Sequence, residues 1–529
     1  MIETKTVFGR QVKVFADRPH TINEMLETTV SRFPDKEAVI DGNVRLTYRE
    51  LQKKVETVAA NLSKSFQIEK GDRIALLLQN CLEFVLLVFA SAKLGAIIVP
   101  LNTRLQEKEL AFMLGHSGSK LLITDKDSQQ KISSLLRHEE LETLEHVLLK
   151  DADSLQSLGD RWLPYRLLEE PNQLDAFPKN DEEDPLFIMY TSGTTGVPKG
   201  AIGSHIGVIH SAMNYKMVME TNHHAKTLIA VPLFHVTGLI GQLMHMVLIG
   251  GTNVLMSRYQ TEPFIRTIVK EKITSLFNVP TIYVMMMSHP LFHQYEYPYV
   301  KTIAYGGAPM PNETIRQLRK YFPNAVLHNA YGATETSSPT TIMPRKYPDS
   351  KIDSVGLPVP VADVKVVNEQ MEECPVNEAG ELLIKGPMVV EGYWNNPEAN
   401  RSSFVDGYWK SGDMARIDED GYVYIMDRKK DMINRGGEKI FSVEVENALY
   451  NHPAVLEAAV VGIPDPIFGE QVKAFVVMKE DMNVSEEEIK TFLAERLADY
   501  KVPKEVEFIR ELPRNPGGKV MKGQLKFRS

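Results

Sequence analysis

The most apolar stretch of the chain, residues 84–101, is interrupted by Lys93, Gly95 and Pro100. A bilayer crossing needs about 20 consecutive apolar residues. The stretch therefore predicts a buried helix over 83–93 that runs into a buried strand over 95–100. Short apolar runs recur further on: FIMYT at 187–191, KTLIAVPLF at 226–234, TNVLM at 252–256 and TIAYG at 302–306. Runs of this length fit strands covered on both faces. Helical patterns fall between them, as at 261–271. Strands and helices in alternation predict a layered α/β domain.

The pattern changes near the end of the chain. VLEAAVVGI at 455–463 and QVKAFVVM at 471–478 predict strands, and VEFI at 506–509 a third. Residues 485–500 predict a helix. Ser485 and Glu488 have the spacing of a capping box, and Ile489, Phe492, Leu493 and Leu497 share one face. Polar or turn-rich segments at 173–185, 344–360 and 511–518 punctuate the chain. The expected architecture is α/β. A large layered N-terminal domain of mixed sheets and helices covers 1–427, and a small mobile α+β C-terminal domain covers 428–529, with the boundary inside the DRKKD segment.

Composition narrows this little. A chain of 529 residues is too long for one hydrophobic core, and 43% hydrophobic with 24% charged residues is ordinary for a globular protein. The net charge of -9 weighs against a nucleic-acid partner, so an anionic ligand must be held by local donors. Two cysteines, Cys81 and Cys374, make no disulfide framework and suit a reducing compartment. The N-terminus lacks the apolar core of a signal peptide. A cytoplasmic protein with no integral membrane segment is expected; peripheral membrane contact and oligomeric state stay open.

Candidate chemistry begins at residues 190–200, YTSGTTGVPKG. Glycines let a backbone approach a polyphosphate, and exposed N–H groups in such a turn make an anion-binding concavity. Hydroxyls and one lysine add donors. Neither a Walker loop nor a G-x-G-x-x-G fingerprint occurs. By composition alone a flexible Ser/Gly turn competes with this reading.

The loop resembles the signature loop of the adenylate-forming superfamily, which embraces acyl-CoA synthetases, firefly-type luciferases and nonribosomal-peptide adenylation domains. Further motifs follow in family order over nearly the whole chain: VPLFHVTGL at 231–239, AYGGAPM at 304–310, NAYGATET at 329–336, YWKSGDMA at 408–415, DRKKDMI at 427–433, RGGEK at 435–439 and LPRNPGGKVMK at 512–522. The resemblance implies an ATP-dependent ligase that makes an acyl-adenylate from a small-molecule carboxylic acid and passes the acyl group to coenzyme A, with Mg²⁺ as cofactor.

It also implies roles. Thr191, Ser192, Gly193, Thr194, Thr195 and Lys199 would grip the phosphates. His235 would lie near the reacting carboxylate. Gly307, Ala308 and Pro309 would wall the adenine site, with Asn329, Tyr331 and Gly332 beside it. Thr334 would contact the α-phosphate and Glu335 would hold Mg²⁺. Asp413 would bind the ribose hydroxyls together with Arg428. Lys430 would be the hinge, Gly436 and Gly437 would pass the pantetheine arm of CoA, and Lys519 would be the catalytic lysine. Asn515 stands where threonine is usual, and RGGEK departs from the common forms around its glycines.

Amino-acid-activating relatives carry an aspartate in the segment matching VPLFHVTG, and none is present. An apolar acid is favoured. Gly238, Gly241, Met244 and Met246 suggest a roomy pocket wall, which leans toward a medium- or long-chain fatty acid. An aryl-acid CoA ligase is the main alternative. Amino-acid adenylation, a luciferase-type oxygenase and a non-catalytic nucleotide-binding relative are weaker ones, since Lys519, Glu335 and Asp413 are intact and only ten residues follow Lys519.

Overall fold

Helix Leu82–Leu94 has eleven of its thirteen residues buried. It is apolar all round because it lies between two sheets, not on a surface. The computed structural model describes residues 1–137, 141–151, 161–191, 197–479, 482–514 and 520–526. Among the described residues no helix is long and apolar enough to cross a membrane. Val85, Phe89 and their neighbours pack in one core with Ile74, Ile98, Ile123 and Phe187 on one side and Val39, Ile229 and Leu255 on the other.

Those two sides are separate sheets. One runs Lys199–Ser204, Pro185–Thr191, Ile97–Pro100, Arg73–Leu77, Leu121–Thr124, His146–Leu149 and Trp162–Pro164. It is parallel apart from the antiparallel hairpin that flanks the loop at 190–200. The other sheet has a parallel centre of Val326–Tyr331, Thr302–Gly306, Ser275–Asn278, Lys226–Ile229, Thr252–Leu255 and Glu37–Asp41. Short antiparallel strands close both its edges.

A third, antiparallel sheet contains Asp363–Val367, Gly380–Lys385, Tyr408–Ile417 and Val423–Arg428. It stops at Arg428. The next strand, Ile433–Arg435, belongs to the C-terminal sheet, with Glu438–Ile440, Gly469–Met478, Val455–Asp465 and Glu505–Phe508. That sheet has its own core around Ile440, Val445, Val460, Val476, Ile489 and Leu493. The layered α/β architecture with a smaller α+β C-terminal unit is therefore present.

Two elements end early. The strand expected over 226–234 covers only Lys226–Ile229, and the chain turns through Val231 and Pro232 into a π-helix at Thr237–Met244. The helix expected over 485–500 keeps its capping box but ends at Ala494, with a separate 3₁₀ turn at Asp499–Lys501.

Candidate active site

Parallel pairing brings the carboxyl ends of Lys226–Ile229, Ser275–Asn278, Thr302–Gly306 and Val326–Tyr331 to one edge of a sheet. Ligands of open α/β sheets bind at such an edge. Strand Thr302–Gly306 delivers Gly307, Ala308 and Pro309, and strand Val326–Tyr331 delivers Tyr331, Gly332, Thr334 and Glu335. Gly307 has φ +79, a conformation that favours glycine, while a side chain on Gly306 would sit 2.3 Å from the Ala330 carbonyl. Asn329 spends its amide on the Ser354 carbonyl at 3.1 Å, so its side chain fastens the strand.

Glu335 is 9% exposed. Its Oε1 accepts from the hydroxyls of Thr191 at 3.2 Å and Tyr393 at 3.0 Å. This joins the start of the loop at 190–200 to the motif at 329–336. Among the described residues Glu335 makes no ion pair, and both hydrogen bonds fall on one oxygen. A buried carboxylate with only neutral donors is costly. It suits Mg²⁺, which takes one or two carboxylates alongside phosphate oxygens. Lys199, at the far end of the loop, holds its ammonium 5.3 Å from the centre of the Tyr393 ring. Ser192, Gly193, Thr194 and Thr195 lie outside the described residues.

A second polar group forms on the third sheet. Asp413, 6% exposed, accepts from the Tyr331 hydroxyl at 2.5 Å on Oδ2 and pairs with Arg428 Nε at 2.8 Å on Oδ1. Asp413 and Arg428 face each other across paired strands, which fixes their approach. Burial and the Asp413 carboxylate push the Tyr331 phenol well above its ordinary range, so it stays a donor. Tyr331 thus ties the nine-stranded sheet to the third one.

His235 follows the Val231–Pro232 turn. Its carbonyl accepts from Leu239 at the head of the π-helix, and its ring lies 4.8 Å from that of Phe234. π-Helical turns concentrate at functional sites. The glycines beyond it make contact, not room. A Cβ on Gly238 would meet the Pro232 carbonyl at 2.4 Å, and one on Gly241 would meet the rings of Phe277 at 2.7 Å and Tyr215 at 3.4 Å. Met244 and Met246 are fully packed. At Gly238 and Gly241 the missing side chains are thus taken up by close packing.

Lys430 is exposed between strands Val423–Arg428 and Ile433–Arg435, which belong to different sheets. Gly436 and Gly437, at φ +62 and +98, form the two-residue turn between Ile433–Arg435 and Glu438–Ile440. Positive φ at both positions is what a type I′ hairpin requires. Lys519 and Asn515 lie outside the described residues.

Sequence reasoning missed Tyr393. Its signal was present in EGYWNNPE at 391–398, an aromatic pair directly after glycine on the border of an apolar run.

Comparison with known proteins places the whole chain. The model of the AMP-binding enzyme family matches residues 26–394, and that of the AMP-binding enzyme C-terminal domain matches residues 444–519. A feruloyl-CoA synthase from Amycolatopsis is 35% identical over 94% of this chain and 96% of its own length. A long-chain-fatty-acid–CoA ligase from Mycobacterium tuberculosis is 34% identical over 96% of this chain and 98% of its own. The structure of the o-succinylbenzoate CoA synthetase from Bacillus subtilis, in complex with ATP and magnesium ion, superposes with a TM-score of 0.82 at 31% identity, covering 95% of this chain and 99% of that one. With the Tyr331–Asp413–Arg428 cluster and the Thr191–Glu335 link at its strand ends, this chain belongs to the AMP-binding enzyme family.

Proposed function

We propose that this protein is an AMP-forming acid–thiol ligase that uses ATP, Mg²⁺ and coenzyme A on a compact apolar acid. The Tyr331–Asp413–Arg428 cluster, which joins two sheets four residues ahead of Glu335, carries the reading. Asp413 offers a carboxylate to a ribose diol, and Glu335 offers one to a metal. A carboxylate is a natural double acceptor for a diol.

In the first half-reaction an oxygen of the substrate carboxylate attacks the α-phosphorus of ATP in line, and pyrophosphate leaves with the electron pair of the cleaved P–O bond. Positioning and charge stabilisation do most of the work. Asp413 and Arg428 fix the ribose, Gly307, Ala308 and Pro309 flank the adenine, and Thr334 donates to the α-phosphate. Thr191, Lys199 and the loop between them hold the leaving phosphates. Mg²⁺, when bound at Glu335, neutralises charge developing on the phosphate oxygens. His235 orients the acid. In the second half-reaction the CoA sulfur attacks the acyl carbonyl and AMP leaves. The pantetheine arm passes the turn at Gly436 and Gly437 after the C-terminal unit pivots at Lys430, a hinge transition.

Lys519→Ala is expected to lower pyrophosphate release by about a hundredfold to a thousandfold, the range for removing one preorganised transition-state donor. Thioester formation from pre-made acyl-AMP should stay within about threefold of wild type. This assigns Lys519 to adenylate formation, as a donor to the charge that develops on the phosphate oxygens, and equal loss in both half-reactions would overturn that assignment.

The close packing at Gly238 and Gly241 supports an aryl acid such as a benzoate or a cinnamate. Phe277 and Tyr215 stand directly against Gly241, at 2.7 and 3.4 Å from where its Cβ would lie, which supports a short acid over a long chain on this wall. Pyrophosphate release with CoA present, across a panel of aryl, fatty and amino acids, tests this. An aryl acid should exceed a sixteen-carbon fatty acid in kcat/KM by at least about tenfold; one or two methylenes of fit are worth about that much. A preference for the fatty acid would restore the medium- or long-chain reading.

A further inference from the structure

Tyr393 lies outside every motif named above, yet its environment is built. Its backbone N–H donates to the Asn400 side chain at 2.7 Å, and its carbonyl accepts from the same side chain at 3.1 Å. The preceding residues are clamped from a distance: Arg10 donates to the carbonyls of Val390 at 3.0 Å and Glu391 at 2.7 Å. The N–H of Val390 donates to the Glu335 carbonyl at 2.9 Å. The side chain is 5% exposed.

The hydroxyl has one proton to give. Trp409 Nε1 donates to the Tyr393 oxygen at 3.3 Å. The oxygen is thereby an acceptor for tryptophan, and its proton is committed to Glu335 Oε1 at 3.0 Å. The ring meanwhile carries the Lys199 ammonium on its face. One side chain thus touches both the carboxylate and the cation that border the loop at 190–200.

We infer that Tyr393 is a positioning residue for the metal carboxylate: its hydroxyl engages Oε1 of Glu335 and leaves Oε2 for the cation, while its ring holds Lys199 at the exit of the phosphate loop. This rests on Glu335 being the magnesium ligand. A partner that orients a metal-binding carboxylate typically contributes about tenfold to a hundredfold in metal affinity.

Tyr393→Phe removes the hydroxyl and keeps the ring. Mn²⁺ binding to the full-length protein, with the non-cleavable analogue α,β-methylene-ATP present, is followed by the electron paramagnetic resonance of free Mn²⁺. The variant should bind Mn²⁺ about tenfold more weakly. Steady-state assays should show a matching rise in the Mg²⁺ concentration for half-activity, with kcat recovered at saturating Mg²⁺ and KM for the acid unchanged. Wild-type Mn²⁺ affinity in Tyr393→Phe, or a kcat loss that saturating Mg²⁺ does not restore, would overturn the inference. Glu335→Gln is the companion variant. If it too binds Mn²⁺ like wild type, the reading of Glu335 fails and takes this one with it; weak binding in Glu335→Gln beside normal binding in Tyr393→Phe sinks only the positioning role. Trp409→Phe keeps the phenol and frees its oxygen from the indole. It provides a second test if Tyr393→Phe does not fold, and should weaken Mn²⁺ binding by a smaller factor; no change there would count against the proton commitment.

Discussion

Asp413→Ala is expected to lower kcat/KM for ATP by about a hundredfold to ten-thousandfold. Hydrogen bonds to a charged group contribute roughly 1.5–3 kcal/mol each, and a ribose diol makes two. The preorganisation of the carboxylate raises the cost further. Arg428 at 2.8 Å and Tyr331 at 2.5 Å hold it from opposite oxygens, and the Asp413 N–H is fixed by the Ser411 hydroxyl at 3.0 Å. The substitution also strands the Tyr331 hydroxyl, a loss of about 1–3 kcal/mol in stability. Deoxynucleotides separate the two effects. Wild-type enzyme should discriminate strongly against 2′-deoxy- and 3′-deoxy-ATP, and the alanine variant should scarcely discriminate. If the variant keeps the wild-type penalty for both analogues, Asp413 does not bind the diol.

The second large effect is on acid stability. His205 and His210 are buried, and each accepts a backbone N–H: His205 Nδ1 from Ile22 at 3.2 Å, His210 Nε2 from Phe15 at 3.2 Å. The other nitrogen of His210, Nδ1, donates to the Ile206 carbonyl at 2.8 Å, so this ring must be neutral. Burial pushes both imidazoles down to about 4, from an ordinary value of 6.5. The folded pKa lies below the unfolded one. The unfolded chain therefore takes up protons first, and the stabilisation present above pH 6.5 is lost as pH falls from about 6.5 to about 4. Two such groups give a slope of about 3 kcal/mol per pH unit inside that window. Because Phe15 and Ile22 belong to the N-terminal segment, it should loosen first. The urea midpoint between pH 6.5 and 4, compared with that of a His205→Gln, His210→Gln protein, measures this. An unchanged pH slope in the double variant would dispose of the idea.

How far the sequence carries depends on whether local pattern or distant packing decides an element. Residues 302–306 and 261–271 have the bounds expected of them, since a run covered on both faces and an amphipathic helix declare themselves locally. The strand at 226–234 stops at Ile229 because Asn80 draws the chain aside. Its amide donates to the carbonyls of Ile229 and Val231, and its carbonyl accepts from the Leu233 N–H. That contact spans some 150 residues of sequence and leaves no local trace. The helix at 485–500 stops at Ala494 although Leu497 continues the apolar stripe, and the later residues pack as a separate turn.

The candidate site divides in the same way. Glycines and carboxylates in ordered motifs stand out in the sequence, and the structure pairs Thr191 with Glu335 and Tyr331 with Asp413. What the glycines of 238 and 241 do was not legible, because glycine marks both an open space and a close approach. Only Pro232 and Phe277 reveal which. Tyr393 escaped notice for a related reason: its meaning lies in Glu335, Trp409 and Lys199, all remote in sequence.

The clamp from Arg10 sets an order of events on the ribosome. The N-terminal hairpin of strands Ile2–Val7 and Arg10–Phe15 can meet Glu182, through Lys5, and His210, through Phe15, once roughly half the chain has emerged, but Arg10 waits for carbonyls 380 and 381 residues downstream. At synthesis rates of about 5–20 residues per second that wait is roughly 20–80 seconds. The segment that carries Tyr393 is thus fastened by a piece of protein made far earlier. A nascent chain halted short of residue 390 would hold the hairpin through Glu182, Ile206 and His210 but without the Arg10 clamp, and a protease present during translation would find the Arg10 turn unfastened until the last quarter of the chain arrived.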